Sequence, residues 1–223
     1  MPIRKTIIAP GEYYHCYNRG TDKRKIFLTE KDYLRFMVLL YVCNSDKPIH
    51  ISNFEAKSLV DLFDAERGEP LVAIGAWCLM SNHFHLLLKE IKEGGISKFI
   101  NKLLTAYSMY FNIRHHRKGT LFQGRFEAEH ANEDRYLKYL FSYIHLNPVK
   151  IIDSKWKERG LKNLKKTKDF LDTYEYSSYL DYRGTKRPQN KILNKSEFPE
   201  YFENIKDFNE EILSWLSYGK AGA

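Results

Sequence analysis

Two histidines, His83 and His85, are the residues of this chain whose type and spacing most clearly permit chemistry. They lie in the apolar run 75–88, whose length and composition favour a β-strand. In a strand, side chains two positions apart point to the same face, whereas Phe84 between them points to the other. Two neutral imidazoles held side by side can bind a divalent metal ion. The alternative is that both histidines are half-buried, bonded to backbone carbonyls and without function.

A third ligand and a nucleophile are available in segment 132–150, which has the pattern of a helix. Asn132 is a suitable N-cap because two acidic residues follow it, where the helix dipole is positive. Pro148 predicts the end of the helix, since it disfavours helical geometry in the residue before it. On such a helix Tyr143 and Asn147 are neighbours at i and i+4. If this face covers the histidine strand, Asn147 can complete a metal site while Tyr143 points at what the metal holds.

Simpler explanations exist for parts of this helix. Tyr136, Tyr139 and Tyr143 share one face, and for the first two a buried stripe of an amphipathic helix is sufficient explanation. Asn147 can equally be a helix C-terminal cap, a common role for asparagine that needs no metal.

Five blocks of sequence, in this order along the chain, resemble the single-tyrosine HUH transposases. Within that group they are most similar to the REP-associated tyrosine transposases. The likeness runs over most of residues 12 to 183. The blocks are YHCYNRG (14–20), WCLMSNHFHLLL (77–88), GTLFQGRF (119–126), YIHLNPVK (143–150) and YSSY (176–179).

The resemblance implies an α+β fold, with a central antiparallel sheet of the ferredoxin or RRM-like kind flanked by helices. It implies a metal-dependent endonuclease and strand transferase that recognises hairpin DNA and cleaves single strands through a covalent 5′-phosphotyrosine. By position, His83 and His85 match the metal ligands and Tyr143 matches the nucleophile. Asn147 falls at the third ligand, where the better-known insertion-sequence transposases have glutamine. The implied partner is single-stranded or hairpin DNA with a REP-like palindrome, and related enzymes are monomers or homodimers that exchange the tyrosine helix.

The chemistry of the residues agrees with these roles. A phenol has a pKa near 10, so Tyr143 needs help to act as a nucleophile at neutral pH. A bound magnesium or manganese ion would polarise a phosphate oxygen and hold the scissile phosphate in line. A free 3′-hydroxyl could later reverse the step without a nucleotide cofactor, because the intermediate conserves the phosphodiester energy.

The charge of the chain favours a nucleic-acid partner. Its 223 residues contain 36 Lys and Arg against 28 Asp and Glu, a net charge of +8. The excess is concentrated in segments 98–125 and 150–170, as expected of a phosphate-binding surface. An ordinary solvated basic surface remains the alternative. The predicted DNA contacts are Arg19, Arg114, Arg117, Lys118, Gln123, Arg125 and Lys150.

The order of elements predicts strands near 12–18, 71–79 and 125–131 besides the histidine strand, and helices at about 29–43 and 96–113 besides the tyrosine helix. We expect a catalytic domain over 1–183, with a polar insertion at 44–70 that contains a short helix. A C-terminal extension over 184–223 carries a helix, which packs on the domain or serves oligomer contacts.

The remaining features limit the class of protein. The three cysteines have no C-x-x-C spacing, which indicates neither a disulfide framework nor a thiolate zinc site. No signal peptide or membrane-length apolar run is present, so we expect a cytoplasmic, nucleoid-associated prokaryotic protein without a membrane partner. Two other functions stay open: a catalytically inactive DNA-binding regulator of the same fold, and a histidine–metal hydrolase in which water attacks.

Overall fold

A four-stranded antiparallel sheet forms the centre of the molecule, in the order β2-β3-β1-β4. The computed structural model describes residues 6–48 and 58–218. The strands are β1 (Tyr13–Arg19), β2 (Val72–Met80), β3 (His83–Glu90) and β4 (Glu127–His130). The helices are α1 (Glu30–Val42), α2 (Gly95–Arg114), α3 (Asp134–Leu146), α4 (Val149–Ile152), α5 (Trp156–Arg159), α6 (Leu164–Leu171), α7 (Tyr179–Tyr182) and α8 (Ile205–Tyr218). The predicted α+β class with a flanked antiparallel sheet is confirmed.

The apolar run 75–88 is a hairpin of two strands, joined by a turn at Ser81 and Asn82. All of β2 and most of β3 are buried because helices cover both faces of the sheet. α1 and α2 pack on the face that carries Phe84, and α3 packs on the opposite face. Strands buried on both faces have continuous apolar sequences, which is why alternation is weak in this run.

The tyrosine helix differs from its prediction at its start, whereas its end at Leu146, just before Pro148, agrees with the prediction. It begins at Asp134 with Glu133 as N-cap, so the predicted cap at Asn132 is wrong. The backbone N–H of Ala131 still donates to the carbonyl of Tyr13, which keeps the chain extended beside β1 up to that point.

Pro148 does not force the residue before it out of helical geometry, contrary to the prediction. Asn147 keeps φ −55° and ψ −39°, and a further short helix, α4, follows the proline. Because proline has no N–H to offer to the carbonyl of Ile144, the N–H of Asn147 donates there instead, at 3.4 Å. The proline therefore interrupts the hydrogen-bond ladder and leaves the direction of the chain unchanged.

The segment after residue 173 completes the sheet on its β2 side. Leu79 donates its N–H to Tyr176 at 2.8 Å, and Ser178 donates its N–H to Trp77 at 2.9 Å. Further along, Asn194 donates its N–H to Ile74. The outer edge of β2 is thus paired with later chain and is not free for another strand.

The C-terminal helix packs on the domain, which is one of the two predicted alternatives. α8 buries Phe208, Ile212 and Leu216 against Leu146 and Trp156. In the predicted insertion, residues 60–64 form a 3-10 helix, whereas residues 49–57 lie outside the described ranges. The proposed division at residue 183 stays a prediction. Among the described helices, none has the length and apolarity needed to cross a membrane.

Candidate active site

His83 and His85 project from the central strand β3 toward α3. Their ring centroids are 4.9 Å apart and the ring planes are nearly perpendicular, at 89°. In the ladder with β1, His83 pairs with Arg19 and His85 pairs with Tyr17. The two imidazoles therefore lie side by side on one face of the sheet, as the spacing predicts.

Hydrogen bonds to the Nδ1 atoms orient both rings. Nδ1 of His83 lies 2.6 Å from Oδ1 of Asn82, an acceptor, so this nitrogen donates. Nδ1 of His85 lies 2.9 Å from Nε2 of His15 on β1. Nδ1 of His15 is 3.7 Å from a carboxylate oxygen of Glu129 on β4.

These contacts define one consistent set of protons. If His15 directs its Nδ1–H toward Glu129, its Nε2 is the acceptor and Nδ1 of His85 is the donor. Both His83 and His85 then have Nε2 unprotonated, with a free lone pair. A metal-ligating imidazole usually donates its other ring N–H to an acceptor that fixes its orientation, and His15 is in the position of that acceptor for His85.

Burial keeps the histidines neutral at pH 7. It lowers the pKa of His83 to about 4, with the positive charges of Lys150 and Arg19 adding to the effect. Burial also lowers the pKa of His85 well below its ordinary value, and that of His15 falls despite the nearby carboxylate of Glu129. Neutral imidazole is the form that binds metals.

Tyr143 lies over this group of histidines within the same chain. Its ring centroid is 5.7 Å from that of His85 and 5.6 Å from that of His15, with edge-to-face geometry in both cases. Burial raises the pKa of Tyr143, and the negative charge of Glu129 acts in the same direction. The ammonium of Lys157 lies 4.3 Å from the centroid of the Tyr143 ring and that of Lys150 lies 6.0 Å away.

Two other tyrosines near the histidines have their hydroxyl groups bonded to a carboxylate. The hydroxyls of Tyr17 and Tyr136 donate to the two carboxylate oxygens of Glu129, at 2.8 and 3.3 Å. Burial, together with that carboxylate, raises the pKa of each to about 12. Of the three, Tyr143 is the one with the cations of Lys150 and Lys157 beside its ring.

The side chain of Asn147 caps helix α3 with its amide nitrogen and leaves its amide oxygen without a hydrogen bond. Its Nδ2 donates to the backbone carbonyl of Tyr143 at 2.9 Å, in place of the backbone N–H that is diverted to Ile144. The residue is buried, and its Oδ1 has no hydrogen-bond partner. The capping role and the ligand role are therefore compatible, because they use different atoms of the same amide.

A cavity of about 390 Å³ opens beside these groups, between the sheet and α3. Its walls include His15, His85, Glu129 and Tyr143. Within residues 6–48 and 58–218, no three His, Cys, Asp or Glu side chains come together as a metal site. Two histidines here would consequently need a ligand of another type, such as an amide oxygen.

Three of the predicted DNA contacts lie next to this cavity or the tyrosine. Nε of Arg19 donates to Oε1 of Gln123 at 2.6 Å, and the N–H of Gln123 donates to the carbonyl of Arg19. Arg19 is the strand partner of His83. Lys150, exposed at the start of α4, is the third.

The other four predicted contacts lie on the α2 side of the sheet. Arg114 approaches the buried carboxylate of Asp32 at 3.6 Å, and Arg117 is half-buried next to Phe111. Lys118 is exposed, and Arg125 lines a groove of about 830 Å³ between α2 and the loop before β4. The structure therefore separates the seven residues into two regions, and their contact with DNA stays a prediction.

His15, Glu129 and Lys157 belong to the site but were not selected from the sequence. His15 carried a signal, since β1 alternates so that Tyr13, His15 and Tyr17 share a face. That signal becomes useful only once β1 is known to pair with β3. Lys157 has no such pattern, because it reaches Tyr143 from a separate short helix.

Part of the chain matches the model of a known transposase family. Residues 56–147 match the model of the family described as "Transposase IS200 like", a stretch that includes His83, His85, Tyr143 and Asn147. The family resemblance is confirmed. No curated protein matches the chain.

One solved structure extends the likeness beyond the segment that matches the transposase model. It is described as the structure of the REP-associated tyrosine transposase bound to a REP hairpin. The identity is 15%, the TM-score is 0.50, and the match covers 85% of this chain and 90% of the other. At this identity the comparison establishes a shared fold, which covers nearly the whole transposase-like chain.

Proposed function

We propose that this transposase-like protein cleaves and rejoins single-stranded DNA beside a hairpin, with Tyr143 as the nucleophile. The observation that carries the proposal is the meeting of Tyr143 with His85 and His15 in one chain, with ring centroids 5.6–5.7 Å apart. A hairpin is the ligand of the structurally similar transposase, and the net charge of +8 suits a DNA partner.

The residues present fit a divalent metal ion. His83 and His85 would supply two Nε2 lone pairs, and the unpartnered Oδ1 of Asn147 is a buried acceptor that a cation would satisfy. This mixture of imidazole and amide oxygen accepts manganese or magnesium. When bound, such an ion supplies Lewis-acid polarisation of a phosphate oxygen.

The protein's own groups prepare the tyrosine. The phenol must lose its proton as its oxygen bonds to phosphorus, and the 3′-oxygen of the preceding nucleotide leaves with the electron pair of the broken P–O bond. Lys157 and Lys150 place positive charge beside the ring, which favours the phenolate. The product is a 5′-phosphotyrosine and a free 3′-hydroxyl, and attack by a 3′-hydroxyl reverses the step.

The test is covalent capture. The protein is incubated with manganese or magnesium and a hairpin that carries single-stranded tails and a 3′ label, because a 5′-phosphotyrosine retains the fragment on the 3′ side of the cut. A denaturing gel is searched for a protein–DNA adduct. We expect an adduct from the parent protein, loss of that adduct in excess chelator, and no adduct from Tyr143→Phe, in which only the hydroxyl is removed and the ring still packs.

Other outcomes select other functions. Adduct formation at the parental rate by Tyr143→Phe would move the nucleophile elsewhere, with Tyr139 the next to change. Cleavage to two free ends would indicate a hydrolase. Binding of the hairpin with no cleavage under any metal condition would indicate a regulator.

A further inference from the structure

A second, smaller cavity adjoins Tyr143 on the side away from the histidines. Its volume is about 180 Å³. Five residues form most of its wall, and we call it the aromatic pocket: Tyr139, Ser142, Leu146, Trp156 and Trp215. The ring of Tyr143 and the side chain of Lys157 form the rest of the wall. Three elements, α3, α5 and α8, therefore converge on one void beside the proposed nucleophile.

The walls of the aromatic pocket are suited to a flat ring. The centroids of Tyr139 and Trp215 are 4.9 Å apart with planes at 59°, and Tyr139 in turn lies 5.8 Å from Tyr143. The volume is below the roughly 300–1,000 Å³ of pockets for drug-sized ligands, so it suits one ring system better than a whole nucleotide. Aromatic walls of this kind stack unpaired bases.

Two buried polar groups of the pocket residues have no partner. The Oγ of Ser142 and the Nε1 of Trp156 make no hydrogen bond, although their residues are only 1% and 4% exposed. A serine within a helix usually bonds a backbone carbonyl of the preceding turn, and this one does not. A buried polar group left unpaired destabilises the fold, whereas the edge of a nucleobase offers both donors and acceptors.

A lysine lies next to both the pocket and the proposed nucleophile. The ammonium of Lys157 is 4.3 Å from the ring centroid of Tyr143 and 5.6 Å from the ring of Trp156. A phosphate that stood near Tyr143 would find this cation between itself and a base in the pocket. An apolar side chain of a protein partner would leave both the cation and the two polar groups unsatisfied.

We propose that the aromatic pocket binds one unpaired nucleobase next to the scissile phosphate and thereby sets where the strand is cut. This inference rests on the proposed function. The base stacks on Trp215 and Tyr139, and Ser142 and Trp156 read its edge. Trp215 and Ser142 are accordingly specificity-determining residues of the cleavage reaction.

The test measures equilibrium binding in the Tyr143→Phe background, so that no covalent step intervenes. The probe is a fluorescently labelled hairpin with single-stranded tails, in which an abasic residue replaces each tail nucleotide in turn. Loss of a stacked base is expected to cost about 1–3 kcal/mol, which is a weakening of roughly 5- to 150-fold. We expect this weakening of hairpin binding at one tail position. Trp215→Ala should bind the intact probe as weakly as the parent binds that abasic probe, and should be insensitive to the same abasic substitution.

Two further variants separate base recognition from folding of α8. Trp215→Phe keeps an aromatic surface and is expected to retain the abasic sensitivity, and Ser142→Ala should change the preferred base at that position while leaving the melting temperature within a few degrees. If Trp215→Ala does not fold, the results with Trp215→Phe and Ser142→Ala test the proposal instead. The proposal is overturned if no tail position is sensitive, or if the abasic penalty is the same with Trp215 and with Ala.

The outcome is distinguishable from failure of the proposed function. An abasic-sensitive, Trp215-dependent complex without any adduct from the parent protein would retain the pocket and reject the cleavage reaction. An adduct that forms equally well with every abasic tail would retain the reaction and reject the pocket.

Discussion

Replacement of His15 by Phe tests whether the chain of hydrogen bonds behind His85 serves a metal. The substitution keeps a ring of similar shape in a site that is 3% exposed. It removes the Nε2 acceptor, 2.9 Å from Nδ1 of His85, and leaves that N–H buried without a partner. His85 then loses the bond that holds its Nε2 in the unprotonated, correctly aimed form.

The expected loss of metal affinity follows from the hydrogen bond that His15→Phe removes. An unpaired buried donor costs about 1–3 kcal/mol, and loss of a partner behind a metal ligand typically lowers metal affinity about 10- to 100-fold. We therefore expect the manganese concentration for half-maximal adduct formation to rise by that factor, with hairpin affinity unchanged. Glu129→Gln should have a smaller effect, since the Glu129 side chain is 50% exposed and its contact with His15 is 3.7 Å.

The assay is a metal titration of adduct formation beside a melting curve for each variant. His15→Gln provides the matched control, because its amide oxygen can accept the hydrogen bond from His85 and should restore part of the metal affinity. An unchanged titration for His15→Phe, with an unchanged melting temperature, would refute the reasoning. Complete loss of metal response that His15→Gln does not restore would instead make His15 a ligand.

Two further predictions concern the groups around Tyr143. Asn147→Ala should raise the metal concentration needed for half-maximal cleavage, whereas Asn147→Asp, which adds an anionic oxygen, should retain some activity. If Asn147→Ala lowers the melting temperature but leaves the metal titration unshifted, Asn147 is a helix cap only. Burial, assisted by Lys150, lowers the pKa of Lys157 to about 8, so its charge is present below that pH and lost above it. The ratio of the parent's adduct rate to that of Lys157→Gln should therefore fall as the pH rises through 8, whereas a rising ratio would indicate a neutral amine that acts as a base.

The elements that carry the site were predictable from the sequence because their signals are local. The apolar run that contains His83, the helix that contains Tyr143 and the i to i+4 spacing of Asn147 depend on neighbours within one element. The N-cap of the tyrosine helix and the backbone conformation of Asn147 at its end were predicted less well. Its start is set by the pairing of Ala131 with β1, and at Pro148 the next helix keeps the backbone helical.

The supporting residues could not be predicted in the same way. The contact of His15 with His85 depends on the register between β1 and β3, and that of Glu129 on the register between β1 and β4. These pairings join residues 64 to 76 positions apart in the first case and 110 to 116 in the second. Charge patterning also does not reveal that part of the basic segment at the end of α2 faces Asp32 on the far side of the sheet, because that contact joins two separate helices.

The pairing of β2 with the segment after residue 173 has a consequence for how the chain folds during synthesis. The hydroxyl of Ser178 accepts from the N–H of Trp77 at a separation of 101 residues, and Phe198 packs against Gly75 so closely that a Cβ there would lie 2.7 Å from its ring. Until about 100 further residues have been synthesised, the outer edge of β2 therefore stays unpaired. An apolar strand with an open edge can pair with another chain. A nascent chain that stalls before residue 176 would therefore expose this edge, although the residues of the proposed active site would already have been synthesised.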